Sequence, residues 1–467
     1  MAWTHAALGP LGLVLLACAA SEQHTSGATS GGGTSLTTSQ SGREGSGDTS
    51  AGIGTSGSSP ETTGLDGLDE SSSDTTTTTG GSSGDGTTGE RRRELNALHV
   101  SEGGLDSNPG TASMPMRTIA WALGQAELDP GIDTIRVAGG SYSIDVANDA
   151  SLVVIDGVSL LGGWAPDFHA RDPAQWPSVV LDGSAVPPVT SDRNPARLLE
   201  VPAGVRTETM IDGFRFETGS GAYRAALVLQ GNATVAGNTV VLGPAPHATN
   251  VRAIWVEGAT PRISRNRIDL VGDASSIVGV SVDFGDPVID DNVITLDMGT
   301  SANRGIDLMV ASPEIVGNSI WAGEGANVSL IRLTSGSAPV IDNNLLQSDG
   351  TGSDGCVVSL GAGAVPATLR NNLLECYYPA YGNGESPWSN WTTIGELHAA
   401  VATASGNLKL GQPVVTPTNG LRLDAATVCL VARGGLDMTV QYPNDFAGLL
   451  RTDPVSIGAH EWDGDCQ

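Results

Sequence analysis

The clearest feature of the chain is an alternation of apolar and polar positions that repeats every 26 residues. Four stretches share the pattern: PRISRNRIDL from Pro261, PVIDDNVITL from Pro287, PEIVGNSIWA from Pro313 and PVIDNNLLQS from Pro339. Related stretches, ATVAGNTVVL and ATLRNNLLEC, precede and follow them. Short runs of β-branched residues separated by Gly, Asn and Pro indicate strands rather than helices.

Each repeat carries an asparagine at the same place, between two aliphatic positions. These marker asparagines are Asn238, Asn266, Asn292, Asn318, Asn344 and Asn372. Val, Ile or Leu stands three residues before and two residues after each of them. Stacked repeats turn such positions into the walls of one continuous core. We expect the asparagines to form the bend between two strands, because Asn tolerates left-handed backbone, and to hydrogen-bond along the stack.

The repeats resemble those of the right-handed parallel β-helix proteins of the pectin-lyase-like class. The resemblance implies an all-β fold, a right-handed single-stranded parallel β-helix (solenoid) with an N-terminal capping helix inside 103–126. Ile119, Ala122, Leu123 and Ala126 would form the buried side of that helix. The resemblance covers 95–467. We divide it into a cap and first rungs at 95–210, regular rungs at 211–376, and an aromatic loop with a C-terminal cap at 377–467.

Residues 1–17 resemble the signal peptide of a bacterial lipoprotein. An apolar run at 6–17 is too short to span a bilayer and leads into LLAC, which ends at Cys18. In lipoproteins that cysteine is lipidated, and we expect the same of Cys18; ordinary cleavage after Ala19 is the alternative. Either process exports the chain. A lipid on Cys18 would anchor it in the cell envelope, at the outer membrane or the cell surface.

Residues 18–94 are predicted to be a disordered acidic linker. They consist mainly of Ser, Thr and Gly, and they cannot bury enough apolar area to offset the entropy of ordering. The whole chain has a net charge of −28, with Lys409 as its single lysine. Nucleic-acid binding needs a basic surface, so we expect no nucleic-acid partner. The membrane partner is reached through the N-terminal lipid instead.

The cysteines point to an oxidising compartment. Cys18 stands apart, and the other four lie in the last quarter of the chain, where they can pair in three ways. The sequence contains no C-x-x-C spacing, so the cysteines do not suggest a zinc site. The alternative to disulfides is four unpaired thiols that pack as small apolar groups. From proximity in sequence and from the repeat we predict the disulfides Cys356–Cys376 and Cys429–Cys466.

Alternation places a group of charged side chains on one outer face. With Leu227, Ile254, Val280, Ile306 and Ile331 assigned to the inside, the residues that follow them point outward. Glu257, Asp283 and Asp307 would then lie on neighbouring rungs and can hold Ca²⁺ through their oxygens. Arg332 beside them is the residue that a lyase of this fold would use as its base. A solvated face of mixed charge is the alternative.

Aromatic side chains supply a second candidate, a sugar-binding surface. The stretch YYPAYGNGESPWSNW at 377–391 holds five of the 20 aromatic residues of the chain. With the outward Trp255, the candidate rings are Trp255, Tyr377, Tyr378, Tyr381, Trp388 and Trp391. Exposed rings stack on sugar faces. The alternative is that the loop packs its own rings against the rungs beneath it.

Two adjacent acids, Asp290 and Asp291, interrupt the repeat that starts at Pro287. The equivalent positions of other repeats hold varied small or polar residues, so we expect a solvent-exposed corner. A calcium or catalytic role is the alternative for this pair.

The chain lacks a complete catalytic set, including the G-H-G stretch of the hydrolases of this fold. We therefore expect a lipid-anchored envelope protein that is carbohydrate-binding, adhesive or structural, without catalysis and without an obligatory cofactor. The alternative is an exported calcium-dependent lyase acting on acidic polysaccharide.

Overall fold

A computed structural model describes residues 96–148, 151–184, 190–219, 221–242, 248–323, 327–349, 355–382, 391–423 and 428–462. The predicted signal peptide, Cys18 and the linker lie outside these residues. Within them the chain forms a right-handed parallel β-solenoid, as the repeats predicted. None of the helices in these ranges is long and apolar enough to cross a membrane.

The strands form three faces, because each rung contributes up to three short strands that pair in parallel with those of the next rung. The first face consists of Ala97–Val100, Thr134–Ala138, Ser159–Trp164, Met210–Asp212, Thr234–Ala236, Arg262–Ser264, Val288–Asp290, Glu314–Val316, Val340–Asp342, Thr368–Arg370 and Ala404–Ser405. The second face consists of Gly140–Ile144, Ser178–Asp182, Phe214–Glu217, Thr239–Val241, Ser319–Ala322, Leu345–Ser348 and Leu373–Glu375. The third face consists of Leu152–Val153, Ala196–Val201, Tyr223–Leu229, Ala248–Glu257, Val328–Thr334, Gly355–Leu360 and Tyr378–Gly382. Two longer strands, Arg267–Asp283 and Val293–Met309, pass from the second face to the third.

The N-terminal cap contains the predicted helix, Ile119–Leu128, and its buried residues are the predicted ones. The side chain of Thr118 accepts a hydrogen bond from Trp121 N and so caps the first turn. A strand that the sequence did not reveal, Ala97–Val100, precedes this helix and pairs with Thr134–Ala138. Shorter helices are Val146–Asn148, Ile394–Ala400, Pro417–Asn419 and Val428–Val431.

The aliphatic columns of the repeats form the core. Ile263, Ile289 and Ile315 pair in register on successive rungs of the first face, and each is fully buried. The corresponding column of the second face, with Ile268, Ile294 and Ile320, is equally buried. The register deduced from the 26-residue spacing is therefore confirmed.

The marker asparagines form a buried ladder, but they are not the residues that adopt left-handed backbone. That conformation belongs to the residue before the marker, for example Arg265 and Asp291, both with φ 54°. The marker side chains turn inward, and Asn292 N donates to Asn318 Oδ1 at 2.9 Å. The same bond recurs from rung to rung and ends at Asn407, which the repeat pattern did not identify.

The C-terminal segment, which we define as residues 428–462, folds back along the outside of the solenoid. Asn343 Nδ2 donates to Leu436 O at 3.0 Å, and Gly458 N donates to Asn343 O at 2.7 Å. A second apolar cluster, with Val293, Trp321 and residues from the end of the chain, lies between this part of the chain and the second face.

One predicted disulfide is present and the other is partly described. Cys356 and Cys376 are bonded, with a Cα–Cα distance of 5.5 Å. Cys429 is also disulfide-bonded, and its predicted partner Cys466 lies outside the described residues.

Candidate functional site

The outer side of the third face carries the charged residues that the alternation predicted. Trp255, Ser281, Asp307 and Arg332 occupy one column on successive rungs, and Glu257 and Asp283 are paired in the next outward column. The residues assigned to the inside, such as Ile254 and Ile306, are fully buried. The predicted juxtaposition on this face is therefore observed, and its chemistry depends on how each charge is paired.

Arginine neutralises the central acid of this face. Arg332 donates to both carboxylate oxygens of Asp307, with Nε to Oδ1 at 2.6 Å and Nη2 to Oδ2 at 2.5 Å, and Arg304 approaches Oδ2 at 3.5 Å. A bidentate pair of this kind is among the stronger side-chain contacts in proteins. The guanidinium of Arg332 is therefore engaged by Asp307, which argues against a catalytic role for it.

The two other predicted metal ligands are hydrogen-bonded to neighbouring side chains. Trp255 Nε1 donates to Asp283 Oδ2 at 3.0 Å, and Gln230 Nε2 donates to Glu257 Oε2 at 2.9 Å. Burial raises the pKa of Asp283, and the bond from Trp255 partly offsets that effect. Among the described residues, no three His, Cys, Asp or Glu side chains are arranged to hold a metal ion. Calcium at Glu257, Asp283 and Asp307 stays a prediction.

The predicted sugar-binding rings do not share one surface. Trp255 is 7% exposed and lies beneath the guanidinium of Arg252, whose carbon is 5.1 Å from the ring centroid. Trp391 is 9% exposed and belongs to the main core, so it packs against the rungs. Tyr377 is 51% exposed and meets the ring of Tyr378 edge to face. The Tyr381 side chain and Trp388 lie outside what the structure describes.

The single lysine holds both ends of the aromatic loop. Lys409 Nζ donates to Cys376 O at 2.7 Å, to Tyr377 O at 3.2 Å and to Thr392 O at 3.4 Å. Burial lowers the pKa of this amine. The contacts fix where the loop leaves and rejoins the solenoid, so Lys409 has a structural role here.

Asp290 and Asp291 are buried, and the expected solvent-exposed corner is wrong. Asp290 is 1% exposed and Asp291 is 3% exposed. Arg262 donates to both oxygens of Asp290, at 3.1 and 2.9 Å, and Ser264 Oγ donates at 2.8 Å. The acids are covered because the C-terminal segment lies over this corner, a contact that the repeat does not encode.

Asp291 is bound from the other side by the C-terminal segment. Arg451 Nη2 donates to Asp291 Oδ1 at 2.5 Å, and Arg451 Nη1 lies 3.3 Å from Glu461 Oε2. Burial raises the pKa of Asp291 to about 7, although the charge of Arg451 acts in the opposite direction. Asp291 is thus a carboxyl group that changes charge near neutral pH.

A groove of about 330 Å³ separates these acids from the end of the chain, and we call it the Asp290 groove. Its polar lining includes Arg262, Arg265, Asp290, Asp291, Gln441, Tyr442 and Asn444. Tyr442 Oη donates to Glu314 Oε2 at 2.9 Å, which fixes the wall of the groove. The Arg265 guanidinium makes no hydrogen bond or ion pair within the described residues. The groove therefore offers one available cation beside two carboxyl groups.

Half of this site could be suspected from the sequence and half could not. The double acid at 290–291 is visible because it departs from the other repeats. Tyr442, Asn444 and Arg451 belong to no repeat, and Arg451 contacts a residue 160 positions earlier in the chain. No local signal connects those two places.

Parts of the chain are similar to a protein family and to a solved structure. The family described as "Protein of unknown function (DUF1565)" matches residues 102–167. A solved structure described as "Rhamnogalacturonan lyase" aligns with 67% of this chain and 87% of its own, at 12% sequence identity and a TM-score of 0.22. A search among curated proteins finds no match. Over 102–167, which includes the capping helix, the chain is therefore similar to a family whose function is not known.

Proposed function

We propose that this chain is an exported, lipid-anchored protein of the cell envelope that binds carbohydrate in the Asp290 groove and does not cleave it. The observation that carries the proposal is the unpaired guanidinium of Arg265 inside a groove lined by polar groups. A volume of about 330 Å³ lies in the usual range for small-molecule sites, roughly 300–1,000 Å³.

The groove supplies the groups that a sugar with a carboxylate needs. Arg265 can donate two parallel hydrogen bonds to the carboxylate. The amide of Asn444, which makes no side-chain hydrogen bond within the described ranges, can bond to hydroxyl groups. An acidic saccharide is therefore the ligand class that we favour.

Export and anchoring are supported by the signal-like residues 1–17 and by the disulfide Cys356–Cys376. Disulfides persist in oxidising compartments and are rare in the cytosol. Lipid on Cys18 is tested by mass spectrometry of the mature N-terminus. A mature chain that starts after Cys18 would refute the anchor and leave the binding proposal intact.

Pairing of the charged groups supports binding without cleavage. Asp307 is neutralised by Arg332, and Asp290 by Arg262. Asp291 has a pKa suited to proton transfer, but it is 3% exposed and bonded to Arg451. These contacts tie the candidate acids to protein side chains and leave them little access to a substrate, which favours recognition over reaction.

Calorimetric titration tests the proposal with two probes, tetragalacturonate as the acidic sugar and cellotetraose as the neutral one. We expect the acidic sugar to bind, and Arg265→Ala to weaken that binding at least tenfold. Arg193→Ala is the matched control, because Arg193 is exposed on a different loop. Binding at pH 6 should exceed binding at pH 8, since Asp291 loses its negative charge as the pH falls below about 7.

Three results would contradict the proposal. The first is that neither sugar binds. The second is that Arg265→Ala and Arg193→Ala weaken binding equally, which would show that the groove is not the site. Alternatively, incubation with the acidic polysaccharide, with or without calcium, releases unsaturated sugars that absorb in the ultraviolet. That result would identify a lyase and make Arg332 the next residue to substitute.

A further inference from the structure

The corner between the third face and the first face carries two apolar residues in an unfavourable backbone conformation. Gly258, Phe284 and Val310 follow one another on successive rungs with φ of 69°, 60° and 53°, and Gly336 comes next with φ 78°. Glycine adopts this conformation freely, whereas a β-branched or bulky residue rarely does. The rungs with Phe284 and Val310 thus accept a backbone cost that their two neighbours avoid.

Packing does not explain that cost. Phe284 is 59% exposed, Val310 is 50% exposed, and the adjacent Met309 is 40% exposed. Neighbouring rungs lie about 4.8 Å apart, so the three side chains form one apolar patch, which we call the corner ridge. Strained residues that leave half of an apolar side chain exposed are typical of binding sites.

The surroundings of the corner ridge are acidic. Glu257 and Asp283 stand one position before the corner on two successive rungs, and Asp286 follows Phe284 by two residues. Asp286 accepts a hydrogen bond from Ser312 N at 2.7 Å, and Glu257 and Asp283 accept from Gln230 and Trp255. None of the three carboxylates forms an ion pair within the described residues. The rim therefore complements positive charge.

We propose that the corner ridge is a docking surface for a partner protein that presents a cationic, partly apolar segment. An arginine or lysine of the partner would lie against the ring of Phe284, where the face of an aromatic ring attracts cations. The three carboxylates would oppose the same charge, and Met309 and Val310 would cover the apolar part of the segment. This surface lies on a different corner from the Asp290 groove, so the two proposals stand or fall separately.

The glycines at the equivalent corner positions of neighbouring rungs suggest a substitution that separates binding from folding. Phe284→Gly removes the ring and restores the residue type found at Gly258 and Gly336. A variant that only loses a binding residue should keep or raise the melting temperature of the full chain, because the backbone cost disappears. Val440→Ala is the control, since Val440 is 97% exposed on the C-terminal segment, away from the ridge in sequence.

The probe is a fluorescent twelve-residue peptide of alternating Arg and Leu, compared with Arg–Ser and Glu–Leu peptides at physiological salt. We expect the full chain to bind the Arg–Leu peptide tightest of the three. Phe284→Gly should weaken that binding about tenfold, which corresponds to about 1.4 kcal/mol. Val440→Ala should leave the affinity for the Arg–Leu peptide unchanged. Glu257→Gln should lower that affinity and also reduce its dependence on salt concentration.

Several outcomes would overturn the inference. Equal peptide affinity of the wild-type chain and Phe284→Gly would show that the ridge does not bind the segment. A lower melting temperature of Phe284→Gly would show that the ring stabilises the fold. Binding of cellotetraose that is lost in Phe284→Gly, with peptide binding unaffected, would assign the ridge to a sugar instead.

Discussion

Replacement of Asn318 by alanine should be among the most damaging single changes in the solenoid. Asn318 is fully buried in the middle of the ladder. Its Oδ1 accepts from the backbone and the side chain of Asn292, both at 2.9 Å. Its Nδ2 donates to Ile289 O at 2.8 Å and to Asn344 Oδ1 at 3.0 Å. Alanine would remove all of these bonds together.

The expected magnitude follows from the groups left without a partner. The backbone N–H of Asn292 would be buried and unsatisfied, at about 1–3 kcal/mol, and each of the other lost bonds adds about 0.5–1.5 kcal/mol. A loss of roughly 3–5 kcal/mol of unfolding free energy results, measured from the urea midpoint and slope. If Asn318→Ala destabilises only the rungs near it, the slope of the unfolding free energy against urea concentration should change as well. The reason is that each repeat of a solenoid contacts only its neighbours, so part of the stack can unfold separately.

Asn419→Ala is the matched control for this measurement. Asn419 is exposed and donates one side-chain hydrogen bond, to Arg422 O at 2.8 Å. Its replacement should cost less than about 1 kcal/mol. If Asn318→Ala costs no more than Asn419→Ala, the ladder is not a stabilising element and the reasoning fails.

Further predictions concern the other buried polar groups. Ile289→Asp should lower the urea midpoint most, since it buries a charge in the core; Asp290→Ala should cost about 1–3 kcal/mol through the loss of its bonds, and equal midpoints would refute this order. The folded chain binds the Asp291 proton more tightly than the unfolded chain does, so stability should fall as the pH rises from about 4 to about 7. In Asp291→Asn the urea midpoint should vary less between pH 5 and pH 7.5 than in the wild-type chain, and the same pH dependence in both would contradict the raised pKa of Asp291. Asn303 is fully buried, and neither atom of its amide has a hydrogen-bond partner within the described residues; Asn303→Val should therefore raise the unfolding free energy by about 1–2 kcal/mol, whereas a decrease would show that the amide has a partner in solution.

The sequence predicted the interior of the solenoid correctly for a local reason. Every rung repeats the same alternation, so the identity of the inward residues, such as Ile263 and Ile289, is encoded within each 26-residue unit. A shift by one residue would expose every aliphatic side chain, which makes the register unambiguous. The same logic correctly aligned Asp307 with Arg332 on the third face.

The candidate site was only half visible because its two walls come from distant parts of the chain. The repeat identified Asp290 and Asp291 as unusual but predicted them to be exposed, since a solenoid corner normally faces solvent. Their burial and the raised pKa of Asp291 depend on Arg451 and on the C-terminal segment. That segment has no repeat, so no pattern indicates which corner it covers.

By itself, then, the sequence determined the fold class, the inward columns, the asparagine ladder and one disulfide, because each depends on spacing within or between neighbouring rungs. Tertiary structure alone decided which acids are buried, that Arg265 in the Asp290 groove has no partner among the described residues, and which corner the C-terminal segment covers. It also decided the use of Phe284 and Val310 at a corner where glycine is the unstrained choice. Local periodicity fixes which way a side chain points; only packing between distant segments fixes what it meets there.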